Sequence, residues 1–316
     1  MNLKNEKTRA FLESLLMILL GTIYILLGIN FVPVISIVFP AFFIILGVRH
    51  GIEYNIVSIL ISILIVGLVV DKYTAFFIFI AFVPLSIVIN YVIKKRGKSQ
   101  ELILYSTITS LVSYVIAIVL VKRFFNISFI DQIEKSFSLV LKTQLDMLKE
   151  TGLSNYEMYQ TKDILENAYE YMVLVIPSAV IIFSLLTAYL NSILSIFILR
   201  KLRYGIVFVP RFSYFKLPSN FILGVIVIYL GVFLLKQLKV FYYETIFINV
   251  SALISFAFFL QGLAVLIFLI NKSRLNQVGK VIFIVLLILS FPLSAIISMV
   301  GFLDIIFNFR GIKKEI

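Results

Sequence analysis

Apolar residues run through this chain in long blocks separated by short polar segments. Nine apolar stretches of roughly 16–29 residues carry no Lys or Arg except Lys236 at the end of the seventh, and a helix of about 20 apolar residues crosses a hydrocarbon core about 30 Å thick. The pattern predicts spans over 11–29, 33–48, 54–70, 74–93, 102–121, 171–199, 219–236, 245–270 and 281–302. The fold class is therefore all-α, a polytopic transmembrane helical bundle of about nine spans. The second stretch is short and contains Pro33 and Pro40. A kinked or partly unwound helix is expected there, with its freed backbone groups met by neighbouring helices or water. The seventh leans on Pro218 as a helix-start residue.

One large hydrophilic segment interrupts this pattern, at 122–170. Within it Ile130, Ile133, Phe137, Val140 and Leu141 recur at helical spacing, and Leu145 and Leu148 continue the apolar face. Thr151–Gly152 reads as a helix stop, and Ser154–Asn155–Tyr156–Glu157 has the form of a capping box. A second helix should then run from about residue 155 into the sixth span, making an amphipathic helical hairpin. Two roles fit it: a connector with its apolar side on the bilayer surface, or a lid over a ligand pocket.

Composition agrees with this reading. The chain is 61% hydrophobic and 14% charged, against about 45–50% and 25% in soluble domains. Charge distribution adds the topology. With the N-terminus cytoplasmic and every stretch crossing once, the inside segments hold 16 basic and 4 acidic residues, and the outside segments hold 12 of each. This asymmetry is the positive-inside pattern. It predicts a multi-pass membrane protein with a cytoplasmic N-terminus and with 122–170 outside. The net charge of +12 therefore belongs to juxtamembrane loops that attract anionic headgroups, and not to a nucleic-acid surface. Residues 1–29 have basic residues before an apolar run, but Phe11–Ile29 is long for a signal core. Asn30–Phe31–Val32–Pro33 is also no small-residue cleavage site, so a retained first span is expected.

Candidate chemistry is sparse. The absence of cysteine excludes disulfides, thiolate catalysis and Cys-ligated metals, and the single histidine excludes an H-E-x-x-H site. No span carries an ionisable residue near its middle, and no nucleophile elbow or P-loop occurs. No catalytic residue, metal site or cofactor is assigned, and enzymatic activity is not expected. The densest polar cluster is Gly47–Val48–Arg49–His50–Gly51–Ile52–Glu53–Tyr54, between the second and third spans. Its glycines allow a tight turn, and Glu53 or Glu13 lies at a depth that suits pairing with Arg49. Arg49, His50, Gly51, Glu53 and Glu13 form either a hairpin cap or a docking point for a partner protein or a phosphate-bearing group.

Amides within spans need partners in hydrocarbon, and interhelical hydrogen bonds are the usual answer. Asn90, Asn191 and Gln261 are such residues, with Asn30 at an outer end. Along the sixth span, Ser184, Ala188, Asn191, Ser192 and Ser195 make a small or polar stripe. The candidate cavity-lining set is thus Asn30, Asn90, Ser184, Asn191, Ser195 and Gln261, with a packing seam as the other reading. The loop from Arg200 through Tyr204 to Pro218 mixes basic and aromatic residues between two prolines, which suits anchoring at a membrane surface.

Three features carry a resemblance. They are the Pro-containing second span ending in Arg49–His50–Gly51, the Pro-flanked basic–aromatic loop before the seventh span, and the ending Gly301–Phe302–Leu303–Asp304 … Phe307–Asn308–Phe309–Arg310. The chain resembles the YybS-like family of bacterial membrane proteins over nearly its full length. That family is distantly similar to the S components of energy-coupling-factor transporters, membrane proteins that bind vitamins or metal ions and dock on a shared ATP-driven module. The resemblance implies an S-component-like six-span core over 1–199 with its insertion at 122–170. A basic–aromatic loop at 200–218 and a three-span region at 219–316 would follow. It implies binding or transport of a small solute, with the ATP-driven module as a partner. It also marks Gly301, Asp304, Phe309 and Arg310 as a C-terminal motif. The alternative function is a non-transporting membrane scaffold that docks a cytoplasmic protein.

Overall fold

The computed structural model describes residues 3–150, 155–204, 209–289 and 293–312. Among these described residues eleven α-helices follow one another: α1 Leu3–Phe31, α2 Pro40–His50, α3 Ile52–Val69, α4 Lys72–Lys94, α5 Ser99–Phe125 and α6 Phe129–Glu150. They continue as α7 Asn155–Lys201, α8 Phe221–Gln237, α9 Tyr243–Lys272, α10 Gln277–Leu289 and α11 Ser294–Phe307. Among the described residues, seven helical segments are long and apolar enough to cross a membrane, and α8, α10 and α11 are shorter apolar helices. The protein is an all-helical membrane bundle.

The second stretch breaks where its prolines lie. Pro33–Val38 forms a 3-10 helix and Pro40 opens α2. Proline has no N–H to offer the carbonyls behind it, and side chains of other helices take over. Tyr24 Oη of α1 donates to the Ile35 carbonyl at 2.7 Å, and Asn191 Nδ2 of α7 donates to the Ile37 carbonyl at 2.7 Å. Asp71 starts α4 by accepting the Thr74 N–H at 2.6 Å, a regular N-cap. Asn126 ends α5 in the left-handed region.

The hydrophilic segment is helical over α6 and the start of α7. Phe137 of α6 stacks on Tyr169 of α7 at 4.6 Å. Thr151, Gly152 and Ser154, on which the predicted stop and cap depend, lie outside the described residues. α7 is 47 residues long, roughly 70 Å at 1.5 Å per residue, well over twice what a bilayer core requires.

The ninth predicted span, 281–302, coincides with α10 and the first part of α11, and residues 290–292 between them lie outside the described residues.

The chain forms two compact units. The first comprises residues 1–173 and 183–209, and the second 174–182 and 210–316. In the first, Ile25, Phe39, Phe43, Ile59, Val66, Ala81 and Phe82 build one apolar cluster, and Ile44, Leu85, Ile89, Leu102, Ala188 and Ile196 build another. In the second, α11 packs most closely on α9. The reason is glycine at both sides of the crossing. A Cβ on Gly262 would sit 1.8 Å from the Ile297 carbonyl oxygen, and one on Gly301 would sit 2.0 Å from that of Phe258. Only bare backbone permits such an approach.

Candidate functional site

The turn after α2 is built by Gly51, whose φ of 130° and ψ of 153° an L side chain rarely adopts. That reversal leaves Arg49 and His50 in the last turn of α2, where cations complement the exposed carbonyls. Glu13 of α1 meets both. Arg49 Nη2 donates to Glu13 Oε1 at 2.9 Å, His50 Nε2 lies 2.7 Å from Oε2, and Arg9 Nε donates to Oε1 at 3.0 Å. A carboxylate only accepts, so His50 Nε2 carries the proton in this contact. The Arg49, His50 and Glu13 side chains are 11%, 14% and 18% exposed, whereas Arg9 is 66% exposed. The Arg49 guanidinium lies 5.9 Å from the centroid of the Tyr204 ring, and its Nε is buried without a hydrogen-bond partner. Glu13 is the carboxylate that takes Arg49. Glu53 is exposed in the first turn of α3, where an acid suits the helix start.

Deeper in the first unit, polar side chains hold helices together. Ser86 Oγ donates to Asn55 Oδ1 at 2.8 Å, and Thr22 and Ser62 share a hydrogen bond of 2.8 Å. Asn90 Nδ2 donates to the Ile44 carbonyl at 3.3 Å. It lies so close to Gly47 that a Cβ there would sit 2.1 Å from it. Asn191 Nδ2 donates to the Ile37 and Thr187 carbonyls at 2.7 and 2.8 Å. In both residues the NH2 end faces backbone carbonyls, which assigns the oxygen to the opposite side. Those oxygens, Asn90 Oδ1 and Asn191 Oδ1, are buried with no partner, as are the hydroxyls of Ser106, Ser192 and Ser195. Ser184 is buried and engaged. Asn30 stands apart, exposed and bonded only to the Leu26 carbonyl of its own helix at 2.8 Å.

Gln261 belongs to the second unit, in a different network. Its Nε2 donates to Asp304 Oδ2 at 2.6 Å, and its Oε1 accepts the Leu217 N–H at 2.9 Å. Asp304 and Arg310 form an ion pair at 2.9 Å with side chains 0% and 1% exposed. Arg310 Nη1 also donates to the Ser213 carbonyl at 2.8 Å. The chain reverses between them because Asn308 caps α11 in the left-handed region, φ 47°. Lys216 Nζ donates to Asn308 Oδ1 at 2.9 Å and to the Ile312 carbonyl at 3.1 Å. Gly301, Asp304 and Arg310 thus act together to clamp the segment 210–218 to α9 and α11, whereas Phe309 is exposed and stacks on Phe307.

Asn249 of α9 was not singled out by the sequence pattern. Its Oδ1 accepts the Ser178 N–H and its Nδ2 donates to the Leu174 carbonyl, each at 2.7 Å. These two groups would pair with each other in an uninterrupted helix, and Pro177 lies between them. The available signal was a proline inside a long span, which calls for an amide at the same depth on a neighbour. Among the described residues, no three His, Asp or Glu side chains gather as a metal site.

The sequence comparisons agree with this membrane architecture. The chain is 24% identical over 314 residues to the uncharacterized protein YybS of Bacillus subtilis (strain 168), covering 98% of this chain and all of the relative. No solved structure matches. A family model described as a predicted membrane protein, DUF2232, matches residues 15–305, and the chain belongs to that YybS-like family of membrane proteins.

Proposed function

We propose that this membrane protein binds, and in S-component-like fashion transports, a small solute rich in hydrogen-bond donors, held within the first unit by α4, α5 and α7. The observation that carries the reading is the pair of fully buried amide oxygens, Asn90 Oδ1 and Asn191 Oδ1, left without donors while their nitrogens are committed. A buried acceptor with no partner costs about 1–3 kcal/mol, and here three buried hydroxyls, Ser106 on α5 and Ser192 and Ser195 on α7, share that condition. A donor-bearing solute or a cation satisfies such a set; an anion does not.

In this reading the N-terminus is cytoplasmic in a bacterial cell membrane, α6 and the start of α7 lie outside over the entrance, and an ATP-driven module is the partner. The role is binding without bond-making chemistry. The test is thermal unfolding of the purified full chain, in detergent, against vitamins, nucleobases and metal ions, with mass spectrometry of co-purifying small molecules. A stabilising solute whose effect disappears in Asn191→Leu supports the reading. No shift with any solute and no co-purified molecule would sink it and favour the scaffold, for which the basic segments 200–218 and 272–280 would be the docking face.

A further inference from the structure

We propose that Arg9, Arg49 and His50 form a binding site for a phosphate group, and that the Glu13 carboxylate occupies this site as a tethered, displaceable stand-in. The argument begins with an imbalance. Two guanidinium groups and an imidazole converge on one carboxylate, so donors and positive charge exceed what a single acid can answer. Arg49 shows the excess directly: both terminal nitrogens reach Glu13, but its Nε is buried with no acceptor. A guanidinium presents its donors as a planar fork that matches carboxylate and phosphate alike. A carboxylate offers two oxygens, whereas a phosphate offers a third.

The site is also held in place. Arg49 sits in the last turn of α2, fixed by the Gly51 reversal, with the Tyr204 ring beside its guanidinium. His50 packs against Tyr54 at 6.1 Å between ring centroids. Entry is from the Arg9 side, the one strongly exposed member. Arg9 and Glu13 lie in the first turns of an apolar span and Arg49 in the last turn of the next, which sets the cluster at headgroup depth on one leaflet. The Asp304–Arg310 pair lacks these properties, since one acid meets one guanidinium and both are sealed from solvent.

The chemistry fits a phosphodiester of an anionic lipid or free phosphate, and one experiment separates them. Native mass spectrometry of the full chain would compare retention of phosphatidylglycerol with phosphatidylcholine, alone and with inorganic phosphate as competitor. Wild type is expected to retain phosphatidylglycerol preferentially. Arg49→Gln should lower that preference about tenfold, the effect of losing one charge-assisted contact. Glu13→Gln should raise it several-fold, because the resident acid no longer competes. A gain of binding cannot come from misfolding, so the two variants moving in opposite directions is the decisive result. Competition by inorganic phosphate assigns the site to the free ion, and its absence assigns the site to the lipid headgroup. Both variants changing retention in the same direction, or neither changing it, overturns the proposal.

Discussion

The two units treat buried polarity in opposite ways. In the second, Asp304, Arg310, Gln261 and the backbone of 213 and 217 form a network around a buried ion pair that leaves Asp304 Oδ1 without a partner, beside a glycine-on-glycine helix crossing. In the first, the ionised groups stay near the rim at Glu13 and Arg49, and the interior holds neutral amides and hydroxyls with acceptor capacity left over. The ion-paired network is suited to fixing a conformation. The neutral one is suited to receiving something. A buried ion pair gains little over an apolar pair but is very costly to break in half, so it specifies a geometry more than it adds stability. Neutral amides in hydrocarbon are individually cheap to change.

The largest expected effect tests the ion-paired side of this contrast. Arg310→Ala strands the Asp304 carboxylate and should destabilise the protein by about 3–5 kcal/mol, read by denaturant unfolding in detergent. Replacing both partners with apolar residues, Asp304→Leu with Arg310→Met, should recover most of that loss, because the cost lies in the unpaired charge. No recovery in the double variant would mean that the pair does more than balance charge.

Asn249→Leu should come next. It leaves the Ser178 N–H and the Leu174 carbonyl beside Pro177 without their partner, for a loss of about 1–3 kcal/mol. Adding Pro177→Ala lets the helix ladder close and should restore part of it. Equal stability of the single and double variants would show that Asn249 does not serve the proline break.

The smallest effect belongs to the first unit. Asn191→Leu removes an interhelical bond of the kind that averages about 0.6 kcal/mol in membranes. Unfolding should shift only slightly, while any stabilisation by a bound solute is abolished. A loss as large as that of Arg310→Ala would erase the distinction between the two units.

Much of the architecture was legible along the chain. Long apolar blocks became helices because, without water, a spanning backbone must satisfy its own hydrogen bonds. The Pro33 and Pro40 positions announced a break, and a 3-10 helix lies between them. The period of Ile133, Phe137 and Val140 announced α6. Partner choice was hidden throughout. Arg49 had two acids at suitable depth, and only packing of α1 against α2 brought Glu13 to it. Gln261 read as a cavity residue by its position in a span, yet it serves Asp304 and Leu217. Asn249 was indistinguishable from any intramembrane amide until Pro177 of another helix came alongside.

The sequence by itself determined that this is a multi-helix membrane protein, where most of its helices run, and which few polar residues they carry, because transfer of side chains and backbone into hydrocarbon is a local property summed over each segment. Only the tertiary structure decided which polar groups meet. Hydrogen bonds and ion pairs between residues 36 to 154 positions apart depend on the directions and depths of whole helices, and those follow from side-chain packing that no local pattern encodes.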